Sequence, residues 1–261
     1  MIVNMRFPKN PFRLEDLRSL YALDGKLSKL RGLYGRRYPE IVNKNTGLLW
    51  DRLNAENQKS LDNSPIFKDK LTTLLNELKS AKGKLLDIGI GRGSMEKLLL
   101  AKKSKLDLYG TDMSFKSLQY IRQNMPMIHV KKSNLNTLPF KSNFFDTVII
   151  LDVLEHISPH KVFKVYKEIR RVLKNDGILL VSVPLNEGLE SMIKLGFNPN
   201  AHVRVYTERL LEAELKLAGF HILSFYKLFA FRRFYLLKKF IAQNVLTNIK
   251  LPNLVIMKVK K

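Results

Sequence analysis

Between Lys84 and Pro184 the chain alternates five times between a short apolar run and a following segment, and this rhythm limits the fold more than any other feature. The runs are Lys84–Ile90, Leu106–Met113, Ile128–Asn134, Phe145–Leu154 and Gly177–Pro184. The fourth is apolar throughout its middle, as a strand covered on both faces must be. Helical spacing appears in Ser94–Lys103, in Ser114–Asn124, which Ser114 can cap, and in Lys161–Leu173. In the last, Val162, Val165, Tyr166, Ile169, Val172 and Leu173 form one stripe with Lys and Arg opposite. The turn Asn175-Asp176-Gly177 should stop it. Strands alternating with helices give a parallel sheet with helices on both faces.

The flanks complete the architecture. Thr207–Phe220 reads as a helix capped by Thr207 and stopped by Gly219. Two later runs, His221–Phe229 and Leu254–Lys260, can pair as an antiparallel hairpin at the sheet edge, joined by a long excursion. The expected fold is therefore α/β: a doubly wound, mostly parallel seven-stranded sheet with a C-terminal antiparallel edge hairpin. Residues 1–80 form a helical extension or cap, with helices at Arg13–Leu23 and Phe67–Ser80 and turn-prone stretches around Pro39, Gly47 and Pro65. Residues 81–261 form the main domain, with 185–201 and 228–250 as insertions.

Composition narrows the chemistry. The chain has no cysteine, which removes disulfides, zinc–thiolate sites, iron–sulfur clusters and thiolate nucleophiles. No metal is expected. No apolar run approaches the ~18 residues of a membrane helix, and the N-terminus lacks the apolar core of a signal peptide. A cytoplasmic, at most peripheral, protein is expected. Lys and Arg number 46 against 23 acids, a net charge of +23, which suits an acidic partner: nucleic acid, an anionic membrane surface or an anionic substrate. The excess is spread along the chain, as in a generally lysine-rich surface of the kind heat-adapted proteins carry.

Ligands of such sheets bind at the carboxyl ends of the strands. The first strand ends Asp87-Ile88-Gly89-Ile90-Gly91-Arg92-Gly93, and Asp112 closes the second. The glycines remove Cβ atoms where the backbone must turn and approach a ligand. A phosphate loop would need Gly-Lys-Ser/Thr where Gly93-Ser94-Met95 stands. A dinucleotide fingerprint counted from Gly89 fails at Ser94. The motif LLDIGIGRGS instead resembles the first motif of the class I S-adenosylmethionine-dependent methyltransferases, Asp/Glu-x-Gly-x-Gly-x-Gly. YGTDMS resembles that family's ribose-binding acid, and Ser133–Ile157 resembles its stretch through the fourth strand to Leu-Glu-His. RVLKNDGILLVSVP and His202–Phe220 resemble the elements that follow, so the likeness spans residues 84–223.

The resemblance implies S-adenosylmethionine as cofactor and assigns roles. Asp87 orients the glycine turn and holds the methionine amino group through water; Gly89, Gly91 and Gly93 admit the methionine portion. Asp112 binds ribose, with Met113 packing on adenine. Asn134 and the Leu135 backbone read the adenine edge. Asn134 stands where the family usually has Asp, and its side-chain oxygen can still accept. Leu151 and Asp152 line the methyl-bearing end. His156 and His202 are candidate bases if the acceptor is protonated, against the plainer readings of a packed helix-start histidine and a hydrogen-bonded loop histidine.

The acceptor is open in the sequence. A missing cysteine and Asp152-Val153-Leu154 in place of an Asn/Asp-Pro-Pro-aromatic motif argue against two kinds of nucleobase methylation. Leu228–Leu246 carries a narrow stripe of Arg232, Lys239 and Gln243 on an otherwise apolar wheel. Such a helix is either buried or lies on lipid or a lipid-like substrate. A small or lipid-like acceptor is the first reading. RNA is the alternative, with Tyr34, Tyr38 and Trp50 near Arg31, Arg36 and Arg37 as stacking groups. A non-catalytic cofactor-binding or scaffold protein is the third.

Overall fold

The computed structural model describes residues 46–56, 64–194, 201–231, 234–244 and 252–261. The expected helix at 13–23 and the cluster of Arg31, Tyr34, Arg36, Arg37 and Tyr38 lie outside them, as do Arg232 and Arg233.

The seven strands are β1 (Lys84–Ile88), β2 (Asp107–Asp112), β3 (His129–Lys132), β4 (Phe145–Leu151), β5 (Leu173–Pro184), β6 (His221–Leu228) and β7 (Leu254–Lys260). They lie in one sheet in the order β3-β2-β1-β4-β5-β7-β6. β1 pairs in parallel with β2 and β4, β2 with β3, and β4 with β5. β7 runs antiparallel between β5 and β6. The doubly wound reading and its C-terminal hairpin are therefore as expected. Crossover strands buried on both faces leave a core on each side of the sheet. One holds Leu86, Ile88, Val148, Ile150 and the stripe Val162, Val165, Tyr166 and Ile169. The other holds Leu85, Ile149, Leu74, Leu99, Leu118 and Ile121.

Among the described residues the helices are α1 (Gly47–Glu56), α2 (Pro65–Glu77), α3 (Ser94–Ala101), α4 (Phe115–Asn124), α5 (Pro159–Val172), α6 (Leu189–Lys194), α7 (Glu208–Leu217) and α8 (Tyr235–Asn244). Two expected caps are present: Ser114 Oγ accepts from Ser117 N at 3.0 Å, and Thr207 Oγ1 from Leu210 N at 3.1 Å. Gly219 ends α7 at φ 82°, with Phe220 N donating to Leu215 O.

Four local readings are corrected. The stretch around Gly47, read as turn, is helix α1; Asp51 anchors it by accepting from Ser114 Oγ at 2.6 Å and Lys116 N at 3.0 Å, a long-range tie that local propensity cannot reveal. The fourth strand stops at Leu151 because Asp152 takes φ 54°, and a 3₁₀ turn, Leu154–His156, follows before α5. The Asn175-Asp176-Gly177 turn is absorbed into β5. Phe145 pairs with Leu173 and Thr147 already with Ile178, so Lys174–Gly177 loops out within the strand. Among the described residues of the excursion after β6, the helix runs Tyr235–Asn244. There Asp69 of α2 accepts from Lys239 at 2.7 Å and Tyr235 at 3.0 Å, while Phe234, Leu236, Leu237 and Phe240 are exposed. That helix is not the buried cover that an apolar wheel suggests. Among the described residues no helix is long and apolar enough to cross a membrane.

Candidate active site

The carboxyl ends of β1, β4 and β5 open into a cavity of about 400 Å³. α1 and α2 close it from above with Trp50, Leu53, Phe67, Lys70 and Leu71, and the glycine turn and Glu155, His156, Glu187 and His202 form its walls.

The three glycines of the turn have different reasons to be glycine. All take positive φ: 82° at Gly89, 54° at Gly91 and 69° at Gly93. A Cβ on Gly91 would find nothing nearer than Gly89 O at 4.0 Å, so that position faces open space. A Cβ on Gly93 would come within 2.7 Å of Met125 and 2.8 Å of Ile121. Gly93 therefore serves the packing of α3 against α4 and is absent from the cavity wall. Gly89 lines the wall with Val153 pressed behind it.

Asp112 holds the turn in place. Its Oδ2 accepts from Gly91 N and its Oδ1 from Ser114 N, both at 2.8 Å. Burial raises its pKa, and these backbone donors pull it back part of the way. Met113 follows, half-buried, with its carbonyl pressed against α1 so closely that a Cβ on Gly47 would lie 2.6 Å from it. Asn134 is exposed, and its Oδ1 accepts from Asn136 N at 3.2 Å. Leu135 takes φ 67°. Neither lines the cavity, whereas Leu151 and Asp152 do.

Beneath the turn lie two buried carboxyls, Asp87 and Glu96. Asp87 Oδ1 and both Glu96 oxygens find no donor among the described residues. Burial, and for Asp87 the adjacent Glu96, push both pKa values up, Glu96 to about 7. The pair retains a proton that free carboxylates would lose. For Glu96 the folded pKa exceeds the unfolded 4.5, so the folded state is favoured below that value and loses ground as pH climbs to about 7. At ~1.4 kcal/mol per unit this amounts to roughly 3 kcal/mol. Glu96→Gln should therefore raise the melting temperature by several degrees at pH 8 and change it little at pH 5. Equal shifts at both pH values would refute the buried proton.

At the far end, Asp152 is held between Lys70 Nζ and Ser182 Oγ, each at 2.6 Å. Burial alone would raise Asp152, but Lys70, the Ser182 hydrogen bond and the nearby His202 together outweigh it and keep the carboxyl below its usual range. Next to it Glu155 is buried, with no lysine or arginine at ion-pair distance among the described residues; burial and the neighbouring Asp152 charge raise it well above the carboxylate range. His156 and His202 meet there, with ring centroids 4.8 Å apart. Trp50 packs edge-on against His156 at 4.7 Å. His202 Nδ1 lies 2.8 Å from Glu187 Oε2, and His156 Nδ1 lies 3.4 Å from Ala201 O. The segment carrying His202 is fixed by Arg204, which is fully buried and pairs with Glu214 at 2.5 Å. Tyr166 and Tyr206 also donate to Glu214, at 3.2 and 3.0 Å.

The structure thus brings both candidate histidines to one cavity with Asp87, Gly89, Gly91, Leu151 and Asp152. Lys70, Glu155, Glu187 and Glu96 escaped the sequence reading, and Trp50 was read there only as a stacking group for RNA. Lys70 carried a signal: it falls on the same helical face as Phe67, Leu71 and Leu74, an odd place for a lysine.

This sheet order, with its antiparallel seventh strand, glycine turn and second-strand acid, is the fold of the class I S-adenosylmethionine-dependent methyltransferases. Residues 86–181 match the family described as methyltransferase domain. An uncharacterized protein of Methanocaldococcus jannaschii is 34% identical over 122 residues, 46% of this chain and 50% of that one. The carboxy-S-adenosyl-L-methionine synthase of Nautilia profundicola is 30% identical over 126 residues, 46% of this chain and 54% of that one. The chain spans about half the length of these curated relatives. Among solved structures, the N-methyltransferase NodS of Bradyrhizobium japonicum in complex with S-adenosylhomocysteine aligns over 84% of this chain and 99% of its own, with TM-score 0.63 and 13% identity, a likeness of fold. S-adenosylmethionine is the cofactor of this family, and the residues fit it: Gly91 leaves its side-chain space to the cavity, and Asp87, in the cavity wall, has an oxygen with no donor among the ionised groups of the described residues.

Proposed function

We propose that the protein is an S-adenosylmethionine-dependent methyltransferase acting on a small or lipid-like acceptor. The observation that carries this is one cavity running from the glycine turn to the Glu155–His156–His202 cluster. When bound, the cofactor supplies a methyl on a sulfonium, taken in line by a nucleophile. The chain's own work is to bind, align and exclude water, effects worth up to ~7–11 kcal/mol when alignment is good. Asp87 would hold the amino group and Asp112 the ribose, with Met113, Asn134 and Leu135 toward the adenine. Leu151 and Asp152, the latter pinned by Lys70, line the methyl end. For a protonated acceptor, His156 or His202 takes the proton, and Glu187 orients the His202 ring.

Two observations favour a small or lipid-like acceptor over RNA. Trp50, one of the proposed stacking groups, packs into the cavity against His156. The apolar face of α8 is exposed in a stretch without acids, which suits a lipid-like molecule or an anionic membrane surface. Calorimetry with S-adenosylhomocysteine should show one site. Methyl-labelled cofactor incubated with protein and a cell extract should then place label in the organic-soluble or small-molecule fraction. Label confined to RNA would overturn the acceptor assignment. Cofactor binding without transfer to any fraction would leave the scaffold reading.

A further inference from the structure

Three donors converge at the acceptor end of the cavity in a way that general-base chemistry does not require. Glu155 is 1% exposed, and its Oε2 has no hydrogen-bond partner. Its Oε1 lies 4.0 Å from His156 Nε2 and 3.9 Å from His202 Nε2. These separations are too long for hydrogen bonds. One donor atom from each of the three residues falls within 4.8 Å of the others. Among the described residues no lysine or arginine reaches Glu155 at ion-pair distance, although Lys70 fully engages the neighbouring Asp152. The opposite ring nitrogen of His202 is turned to Glu187 at 2.8 Å. A carboxylate on Nδ1 fixes the tautomer and aims the Nε2 lone pair inward, as the outer partners of metal-bound histidines do.

We propose that Glu155, His156 and His202 bind a divalent transition-metal cation, with Glu187 as the positioning residue behind His202. Two imidazoles and one carboxylate suit Zn²⁺, Mn²⁺, Fe²⁺ or Co²⁺ and leave coordination positions open. Bonds of about 2.0–2.2 Å would draw the donors together by roughly an ångström. The open positions face the cavity, where they take oxygen donors of the acceptor; this last clause rests on the methyltransferase reading, whereas the cation site does not. With the cation in place the imidazoles are ligands, and the task of acidifying an acceptor passes from them to the metal. The sequence, lacking cysteine, pointed to no metal at all.

The test uses the full chain stripped with a chelator and titrated with Co²⁺ alone, read by visible absorption and calorimetry. One equivalent should bind, with bands typical of nitrogen and oxygen ligands. Glu155→Gln and His202→Ala should each weaken binding at least tenfold, and Glu187→Gln should do so by ~10-fold through His202. Zn²⁺ should raise the melting temperature of the wild type and not that of Glu155→Gln, a readout available even if His202→Ala folds poorly. S-adenosylhomocysteine affinity, measured on the same samples, separates failure of this site from failure of the cofactor assignment. Equal Co²⁺ binding by wild type and Glu155→Gln, or no binding by wild type below ~1 mM, overturns the proposal.

Discussion

Replacing Gly91 with valine should abolish measurable binding of S-adenosylhomocysteine, a loss of at least 100-fold, while the protein stays folded. The side chain would enter the cavity, since nothing lies nearer its Cβ than 4.0 Å. A φ of 54° adds strain of about 1–2 kcal/mol for a branched residue, enough to lower the melting temperature by a few degrees and no more. Gly93→Val makes the contrast: its Cβ would press on Ile121 and Met125, so it should lose stability first and affinity only as a consequence. Asp112→Ala should resemble Gly91→Val, because Asp112 holds Gly91 N and is the residue proposed to hold the ribose. Calorimetry alongside thermal melts decides it. Normal affinity in Gly91→Val would remove the turn from the cofactor site.

Arg204→Ala should be the most destabilising single change in the domain. Arg204 and Glu214 are both fully buried, and removing the cation leaves a buried carboxylate facing two tyrosine hydroxyls without its guanidinium. Breaking one partner of such a pair costs about 3–5 kcal/mol. In a domain of this size that lowers the melting temperature by about 10 °C. The double change Arg204→Met with Glu214→Leu should recover most of the loss, since an apolar replacement avoids the uncompensated charge. A fall of under ~2 °C in Arg204→Ala would mean that the pair stabilises little. His202 stands two residues away, so the same variant should blur the cluster it belongs to.

The strands, the mostly parallel sheet and the glycine turn were legible because they are written in local pattern: two-sided apolar runs, capped helices, a turn only glycine tolerates. Ser114 and Thr207 cap where the chain says they should. What stayed hidden depends on distance along the chain. Glu155 and His202 are separated by 46 intervening residues, and only the crossover through β5 brings them together. Lys70 reaches Asp152 across the sheet end, and Asp51 reaches Ser114 from a segment with turn-forming composition. The three glycines read alike in sequence; their differing surroundings separate the one facing a ligand from the one packed between helices.

Helix α1 is held at two places: Asp51 ties it to Ser114 beside Asp112, and Trp50 rests on His156 in the cavity wall. With the cofactor and acceptor sites proposed above, one element would meet two binding events. Reciprocity then follows from thermodynamics: whatever factor a ligand contributes to the docking of α1, the docking of α1 returns to that ligand's affinity. A first ligand that seats the helix thereby prepares the cavity for the second, and the two affinities become a single linked quantity.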